Sequence, residues 1–327
     1  MAVSMIVDTD TASDDAVALV MALRSPEVQV RAITVVAGNV SLEQGSRNAR
    51  YTAELCGSSV PVYEGAVRPL LREPQTAQFF HGKDGLGDQG YPPPSRPAAP
   101  GHAVSALIEG IRAGPGLTLV TLGPLTNIAL ALMQAPDLAA KVGRCVVMGG
   151  AACVVGNVTP AAEYNIWCDP EAARICFRSG MPIEMVGWEL CRGAAVLDQG
   201  DIARCRKIGT PLANFAVDCN LTALDANRRF FSEDGIGLPD PTAMAVAIDP
   251  SVATRKSRHA VDVECEGNLT RGMTVVDQLD VVRRGLADLA GWPGEAATRE
   301  PHVTICWELD VPRWKAMLFR ALGEGGG

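Results

Sequence analysis

Four carboxylates crowd into eight residues near the N-terminus, in Asp8-Thr9-Asp10-Thr11-Ala12-Ser13-Asp14-Asp15. The apolar run Met5–Val7 precedes them, and Ala16–Leu23 follows with helical character. Residues two apart on a strand share a face, so Asp8 and Asp10 leave the strand on the same side. The next helix then returns Asp14 or Asp15 toward the strand end. Acids at a helix start can simply cap it and favour its positive end, and Ser13 or Asp14 alone would do that. Capping does not require two further acids on the preceding strand, whose repulsion needs a partner. A hard cation held by carboxylate oxygens, Ca²⁺ or Mg²⁺, supplies one, whereas a thiolate-seeking metal does not fit.

The elements that must position these acids alternate along the chain. Val28–Val36, Leu117–Leu122, Cys145–Met148 and Pro182–Val186 read as strands, and Leu42–Leu55, Leu125–Met133 and Pro170–Phe177 as helices. The pattern predicts an α/β fold, a mostly parallel central sheet flanked by helices, in one domain over residues 1–327. In such sheets ligands bind at the carboxyl edge. Toward the C-terminus a strand near Ala260–Val263 and a closing helix at Val311–Leu322 are expected. Arg68–His102 breaks the rhythm with His81-Gly82-Lys83-Asp84-Gly85-Leu86-Gly87 and five prolines between Pro92 and Pro100. A connection that long inside a compact α/β chain reads as a functional lid loop.

Composition narrows the partners. With 47% hydrophobic residues, 20% charged and a net charge of −8, the chain has ample core and no basic surface for a nucleic-acid polymer or an anionic membrane. The opening residues lack a signal-peptide pattern and Ala16–Leu23 is too short to cross a bilayer, so a cytoplasmic protein is expected. The ten cysteines show no CxxC and read as small buried hydrophobes, and the four histidines lack zinc-site spacing.

An aspartate pair spaced D-x-D on a first strand also marks the haloacid-dehalogenase-like phosphohydrolases. Ala12 followed by Asp14-Asp15 matches that pattern poorly. The full opening segment, with Asp10, Asp14 and Asp15 before Ala16, instead resembles that of the inosine–uridine-preferring nucleoside hydrolases. Further pieces follow in that family's order: Val36-Ala37-Gly38-Asn39, His81-Gly82, Gly123-Pro124-Leu125-Thr126-Asn127 and Met148-Gly149-Gly150. Then come Gly156-Asn157, Ala162-Glu163-Tyr164-Asn165, Asp169-Pro170-Glu171-Ala172 and Asp240-Pro241.

The resemblance implies a Ca²⁺-dependent N-ribohydrolase that splits a ribonucleoside into base and ribose. It places the ion on Asp10, Asp15, Asp240 and the Leu122 carbonyl. The ribose hydroxyls would fall to Asp14, Asn39, Asn157, Glu163 and Asn165, with Met148 beside the sugar and His81 near the pocket mouth. Asp8 would support the ligands from behind. In this chemistry Asp10 takes a proton from a cation-bound water while carboxylates stabilise an oxocarbenium-like sugar. Homodimers or homotetramers are usual in that family. Simpler roles exist for several of these residues. Asn39 and Asn157 each follow a glycine and fit turns, Asp240 can cap a helix, and Trp188 can be core.

Two positions depart from the family pattern. Ala12 stands where glycine is usual, and Pro239 stands where many members carry a histidine that protonates the leaving base. Proline has neither a side-chain donor nor a backbone N–H. Candidate donors elsewhere are His81, Arg228 and Arg229. Stacking of a purine on Trp188, Phe230 or Phe231 is another route. Pro239 also keeps a second class open, a ribosyl-ligand binding protein or catalytically degenerate homologue.

Overall fold

A computed structural model describes residues 2–286, 289 and 300–324. The first half runs β1 (Val3–Thr9), α1 (Ser13–Arg24), β2 (Val28–Val35), α2 (Leu42–Leu55), β3 (Val62–Glu64), the one-turn α3 (Gln78–His81), α4 (Ala103–Ala113), β4 (Thr118–Thr121) and α5 (Thr126–Gln134). Then follow β5 (Arg144–Met148), α6 (Tyr164–Cys168), α7 (Pro170–Arg178), β6 (Ile183–Val186), α8 (Gln199–Ile208), α9 (Pro211–Asp218), α10 (Leu221–Ala226) and α11 (Pro239–Ile248). The last elements are β7 (Ala253–His259), β8 (Val261–Val263), β9 (Thr274–Val276), β10 (Val303–Leu309) and α12 (Val311–Ala321).

Eight strands form one sheet in the order β3-β2-β1-β4-β5-β6-β10-β7, parallel except for β7, which runs against β10. Helices cover both faces, so the central strands carry Val, Ile and Leu on both sides. One apolar layer joins α1, α9, α11 and α12 to the sheet, and the other joins α4, α5 and α7. Among the described residues no helix is long and apolar enough to cross a membrane.

The site is positioned by one topological fact. From β1 the chain builds outward to β2 and β3, then returns to place β4 on the other side of β1. Such a switch point leaves a crevice at the carboxyl ends of the two strands. Asp8 pairs with Thr121 in that register, so Asp10 emerges beside Gly123, one residue past Leu122.

One expectation is met in a separate sheet, and another needs correction. The strand near Ala260–Val263 exists, but it pairs only with β9 in a separate two-stranded ribbon. The main sheet takes β7 and β10 instead. β7 reads Ala-Thr-Arg-Lys-Ser-Arg-His and exposes its five central residues, so an edge strand here carries no apolar alternation to read. The N-cap of α1 is Ala12 rather than Ser13 or Asp14, and Asp15 reaches back to accept from the Ala12 N–H at 3.0 Å. The ten cysteines are free, all buried except Cys153.

The long connection is tied down along its length. Glu54 accepts from the Ser95 and Arg96 backbone, Arg47 donates to the Tyr91 carbonyl, and Asn48 Nδ2 bridges the carbonyls of Thr11 and Asp84. Gly82, Gly85 and Gly87 all have positive φ, and a Cβ on Gly87 would meet the Cys219 carbonyl oxygen at 2.8 Å.

Trp314 on α12 is fully buried in the layer shared with α1 and α11. Trp314→Ala should lower unfolding free energy by about 3–5 kcal/mol through lost burial and the cavity left behind. Chemical denaturation measures this, and a loss below about 1 kcal/mol would mean that α12 does not brace that layer.

Candidate active site

Asp10 leaves β1 into a slot that only glycine neighbours permit. A Cβ on Gly38 would lie 2.0 Å from Asp10 Oδ2, and one on Gly123 would lie 3.0 Å from Asp10 Cγ. Close approach of a carboxylate, rather than turn geometry, therefore accounts for both glycines. The Asn39 N–H donates to Asp10 Oδ2 at 2.5 Å, while Asp10 Oδ1 is buried without a partner. Behind it, Asp8 accepts from Thr34 Oγ1 and Asn127 Nδ2 and turns no carboxylate oxygen outward.

Asp14 and Asp15 sit in the first turn of α1, and Asp240 in the first turn of α11. The two helices pack together with their positive N-terminal ends close to these acids. One carboxylate oxygen from each of Asp14, Asp15 and Asp240 lies within 4.8 Å of the other two. Thr9 Oγ1 orients Asp15 at 2.5 Å, and Asp14 Oδ1 is left buried and unpartnered.

Burial pushes Asp14 and Asp15 up to about 6, and Asp10 and Asp240 well above the usual carboxylate range, with mutual repulsion adding to the rise for Asp10, Asp15 and Asp240. An all-oxygen set with orphaned buried oxygens fits a hard divalent cation. Leu122 lines the neighbouring cavity, and its carbonyl accepts from Asn165 Nδ2 at 2.7 Å, which leaves it a second lone pair.

A cavity of about 410 Å³ opens above these acids. Of the residues singled out in the sequence, Asp14, Asn39, His81, Leu122, Met148, Asn157, Glu163, Asn165, Trp188 and Asp240 line it. Glu163 caps α6 and is pinned by the N–H groups of Gly150, Asn165 and Ile166 at 2.9–3.2 Å. Burial lifts its carboxyl to about 7. Asn165 Nδ2 also reaches the Met148 carbonyl, and Asn157 Oδ1 accepts from the Tyr164 N–H at 2.9 Å.

Two assignments change. Arg228 does not reach the cavity, because its guanidinium is half exposed and paired with Asp225 and Asp234. His81 lies in the wall rather than at the mouth, 7% exposed, with Nδ1 2.9 Å from Ser13 Oγ and 3.7 Å from Asp14. Burial lowers its pKa to about 4, so its imidazole is neutral near pH 7. Asp14, assigned to the ribose by resemblance, lines the cavity and also belongs to the three carboxylates that could hold a cation, with Asp10 adjoining them.

Sequence reasoning missed Phe80, Asn220 and Asn227, which also line the cavity. Phe79-Phe80 directly before His81 was a legible signal; the two asparagines had none beyond helical spacing. Trp188, Phe231 and Phe80 form an aromatic wall, with ring centroids 5.4 Å and 6.1 Å apart in turn. The Arg192 guanidinium lies 5.5 Å from the Trp188 ring centre and 5.8 Å from that of Phe231.

Residues 5–316 match the family model for inosine-uridine preferring nucleoside hydrolases. The chain belongs to this family. It is 40% identical over 309 residues to the pyrimidine-specific ribonucleoside hydrolase RihA of Salmonella typhimurium, covering 88% of this chain and 97% of that one. Among solved structures it superposes on the plant nucleoside hydrolase PpNRh1 with a TM-score of 0.91 and 33% identity, over 99% of this chain and 100% of the other. The purine-preferring ribonucleoside hydrolase of Gardnerella vaginalis gives 0.86 and 33%, over 98% of each. Membership makes this nucleoside hydrolase an enzyme of ribonucleoside cleavage, and the relatives divide between pyrimidine and purine bases.

The stacked acids couple stability to pH and cation. Carboxyls whose folded pKa exceeds the unfolded value hold extra protons between about 4 and 7, so metal-free stability falls as pH rises through that window. His81, depressed to about 4, works in the opposite direction as one group against six carboxyls. Chelated protein should therefore melt lower at pH 8 than at pH 5, and Ca²⁺ should raise Tm more at pH 8. Equal shifts at both pH values in scanning fluorimetry would contradict this.

Proposed function

We propose that this nucleoside hydrolase cleaves the N-glycosidic bond of a purine ribonucleoside with Ca²⁺ as its cation. The convergence of Asp14, Asp15 and Asp240 beneath a cavity walled by ribose-sized polar groups carries this reading. Asp10, Asp15, Asp240 and the Leu122 carbonyl would hold the ion, with Asp14 within reach. Bound there, the ion would supply concentrated positive charge for coordinating a vicinal diol and acidifying a nearby water.

Asp10 accepts the proton of the attacking water. Its Oδ2 is fixed by the Asn39 N–H, and its unpartnered Oδ1 is the basic site. Asn39, Asn157, Asn165 and Glu163 orient the ribose hydroxyls, and Met148 packs beside the sugar. As the C1′–N bond lengthens, positive charge grows on the ribose and the surrounding carboxylates stabilise it.

Base departure is the unusual step. Pro239 holds no proton, and His81, neutral near pH 7, donates a hydrogen bond rather than an excess proton. Activation falls to stacking on Trp188, Phe231 and Phe80, whose contact area favours the two-ring purine. Arg192 over two of those rings draws on their electron density and strengthens the stack under an electron-rich leaving base.

A panel of nucleosides with a reducing-sugar assay tests the reading. Purine ribonucleosides should turn over faster than pyrimidine ones, and Trp188→Ala should reduce that preference. A 2′-deoxy substrate should lose about 10⁴-fold, since the groups that bond the missing hydroxyl are left unpaired. Asp10→Ala should lower turnover by about 10²–10⁴-fold and weaken the Ca²⁺-induced Tm shift. Full activity in that variant or in chelator would sink the mechanism. Tight ribose binding without sugar release from any nucleoside would favour the binding-protein alternative raised by Pro239.

Phe79 is exposed and meets Phe230 edge-on at 6.0 Å across the mouth, while Gly82–Asp88 is anchored beneath. A lid motion would fall on the Gln75–Phe80 side, where Phe79 is exposed. Ribonucleoside with Ca²⁺ should slow proteolysis there, and unchanged cleavage would argue for a fixed mouth.

A further inference from the structure

Asn220 is fully buried and lines the cavity, yet half of its amide has no partner. Its Nδ2 donates to the Ala216 carbonyl at 2.9 Å and contacts Cys219 Sγ at 3.3 Å. Both contacts point back toward α9, which settles which end of the amide is nitrogen: a flip would set Oδ1 against the Ala216 carbonyl oxygen. Oδ1 is therefore an acceptor that receives nothing from the protein.

The helical face explains why the residue lines the cavity. Asn220, Ala223 and Asn227 follow i, i+3, i+7 spacing, and all three line the cavity. The neighbouring contacts place Asn220 on the His81 side, since Cys219 Sγ reaches the Ser13 carbonyl and Ser13 Oγ meets His81. The Asn227 amide is differently occupied, with Nδ2 donating to the Gly235 carbonyl at 2.9 Å. A buried acceptor left open is costly unless a ligand or water fills it.

We propose that Asn220 determines substrate specificity by accepting a hydrogen bond from an N–H on the six-membered ring edge of the base. The substrate class is then a ribonucleoside carrying a ring or amino N–H on that edge, as in hypoxanthine, guanine or adenine. A purine without one leaves Oδ1 buried and unpaired. The proposal rests on the hydrolase reading and adds a selection for base chemistry to the selection for ring size made by the aromatic wall.

The test compares inosine, adenosine and unsubstituted purine riboside on the Ca²⁺-loaded enzyme and on Asn220→Ala. For inosine and adenosine, kcat/KM should fall about 10- to 100-fold in the variant. For purine riboside, whose six-membered ring carries no N–H, it should change less than about 3-fold. An equal fall on all three substrates would show that the amide only braces α10, and no fall on any would remove it from recognition. Asn220→Leu, which keeps the branched side-chain shape and fills the space, guards against a collapsed pocket, and a retained Ca²⁺-induced Tm shift shows that the cation site stands.

If the wild type releases ribose from none of the three, the purine-hydrolase reading fails. The same pattern is then read in Kd by calorimetry, and wild-type and variant proteins that bind the three equally overturn the proposal.

Discussion

Like charges held in a dry place dominate this molecule. Asp8, Asp10, Asp15 and Asp240 are almost completely buried, and Asp14 nearly so, around the carboxyl ends of β1 and β4. Desolvation alone makes such a cluster expensive, and repulsion makes it worse. The surroundings work to offset that cost. Thr9, Thr34, Asn127 and the Ala12 and Asn39 N–H groups donate to it, and two helix N-termini converge on it. Gly38 and Gly123 give up side chains so that Asp10 fits. Arrangements this costly persist where the charge is used, and a divalent cation is the partner that these oxygens suit.

The two ends of the cavity are built on different principles. The sugar end stands on strand ends and helix caps in the rigid sheet layers, with Glu163 pinned by three backbone N–H groups and Asn165 by two carbonyls. The base end comes from α3, α10 and the π-turn Asn227–Phe231, which closes on Ser232 with φ of 55°. A π-turn shifts the register of side chains on a helix, which brings both Phe230 and Phe231 to the cavity. On the proposed reading, sugar chemistry sits on the scaffold and base discrimination on segments outside the sheet layers. The division agrees with relatives of one fold that act on different bases.

Much of the scaffold was legible because its signals are local. Leu42–Leu55 emerges as a helix with the expected bounds, and the buried strands reveal themselves as short, mostly apolar or β-branched runs. β7 and β10 escaped because one is a polar edge and the other slots between β6 and β7 after a long excursion. His81 was legible as a residue but not as a buried neutral one, since only packing sets its desolvation. Arg228 was plausible by type, and Asp225 and Asp234 removed it by pairing.

Residue order was enough to establish the acid-rich strand-to-helix turn, the glycine–asparagine and glycine–proline corners, the sheet-and-helix architecture and the kind of ligand that such acids seek. These are properties of types at short spacing, governed by backbone period and by charge. Tertiary structure alone assigned oxygens to one centre, bringing Asp240 from more than two hundred residues away to Asp14 and Asp15. It also raised the aromatic wall and left the Asn220 acceptor open. Convergence and solvent exclusion depend on distances through space, and a linear pattern does not carry them.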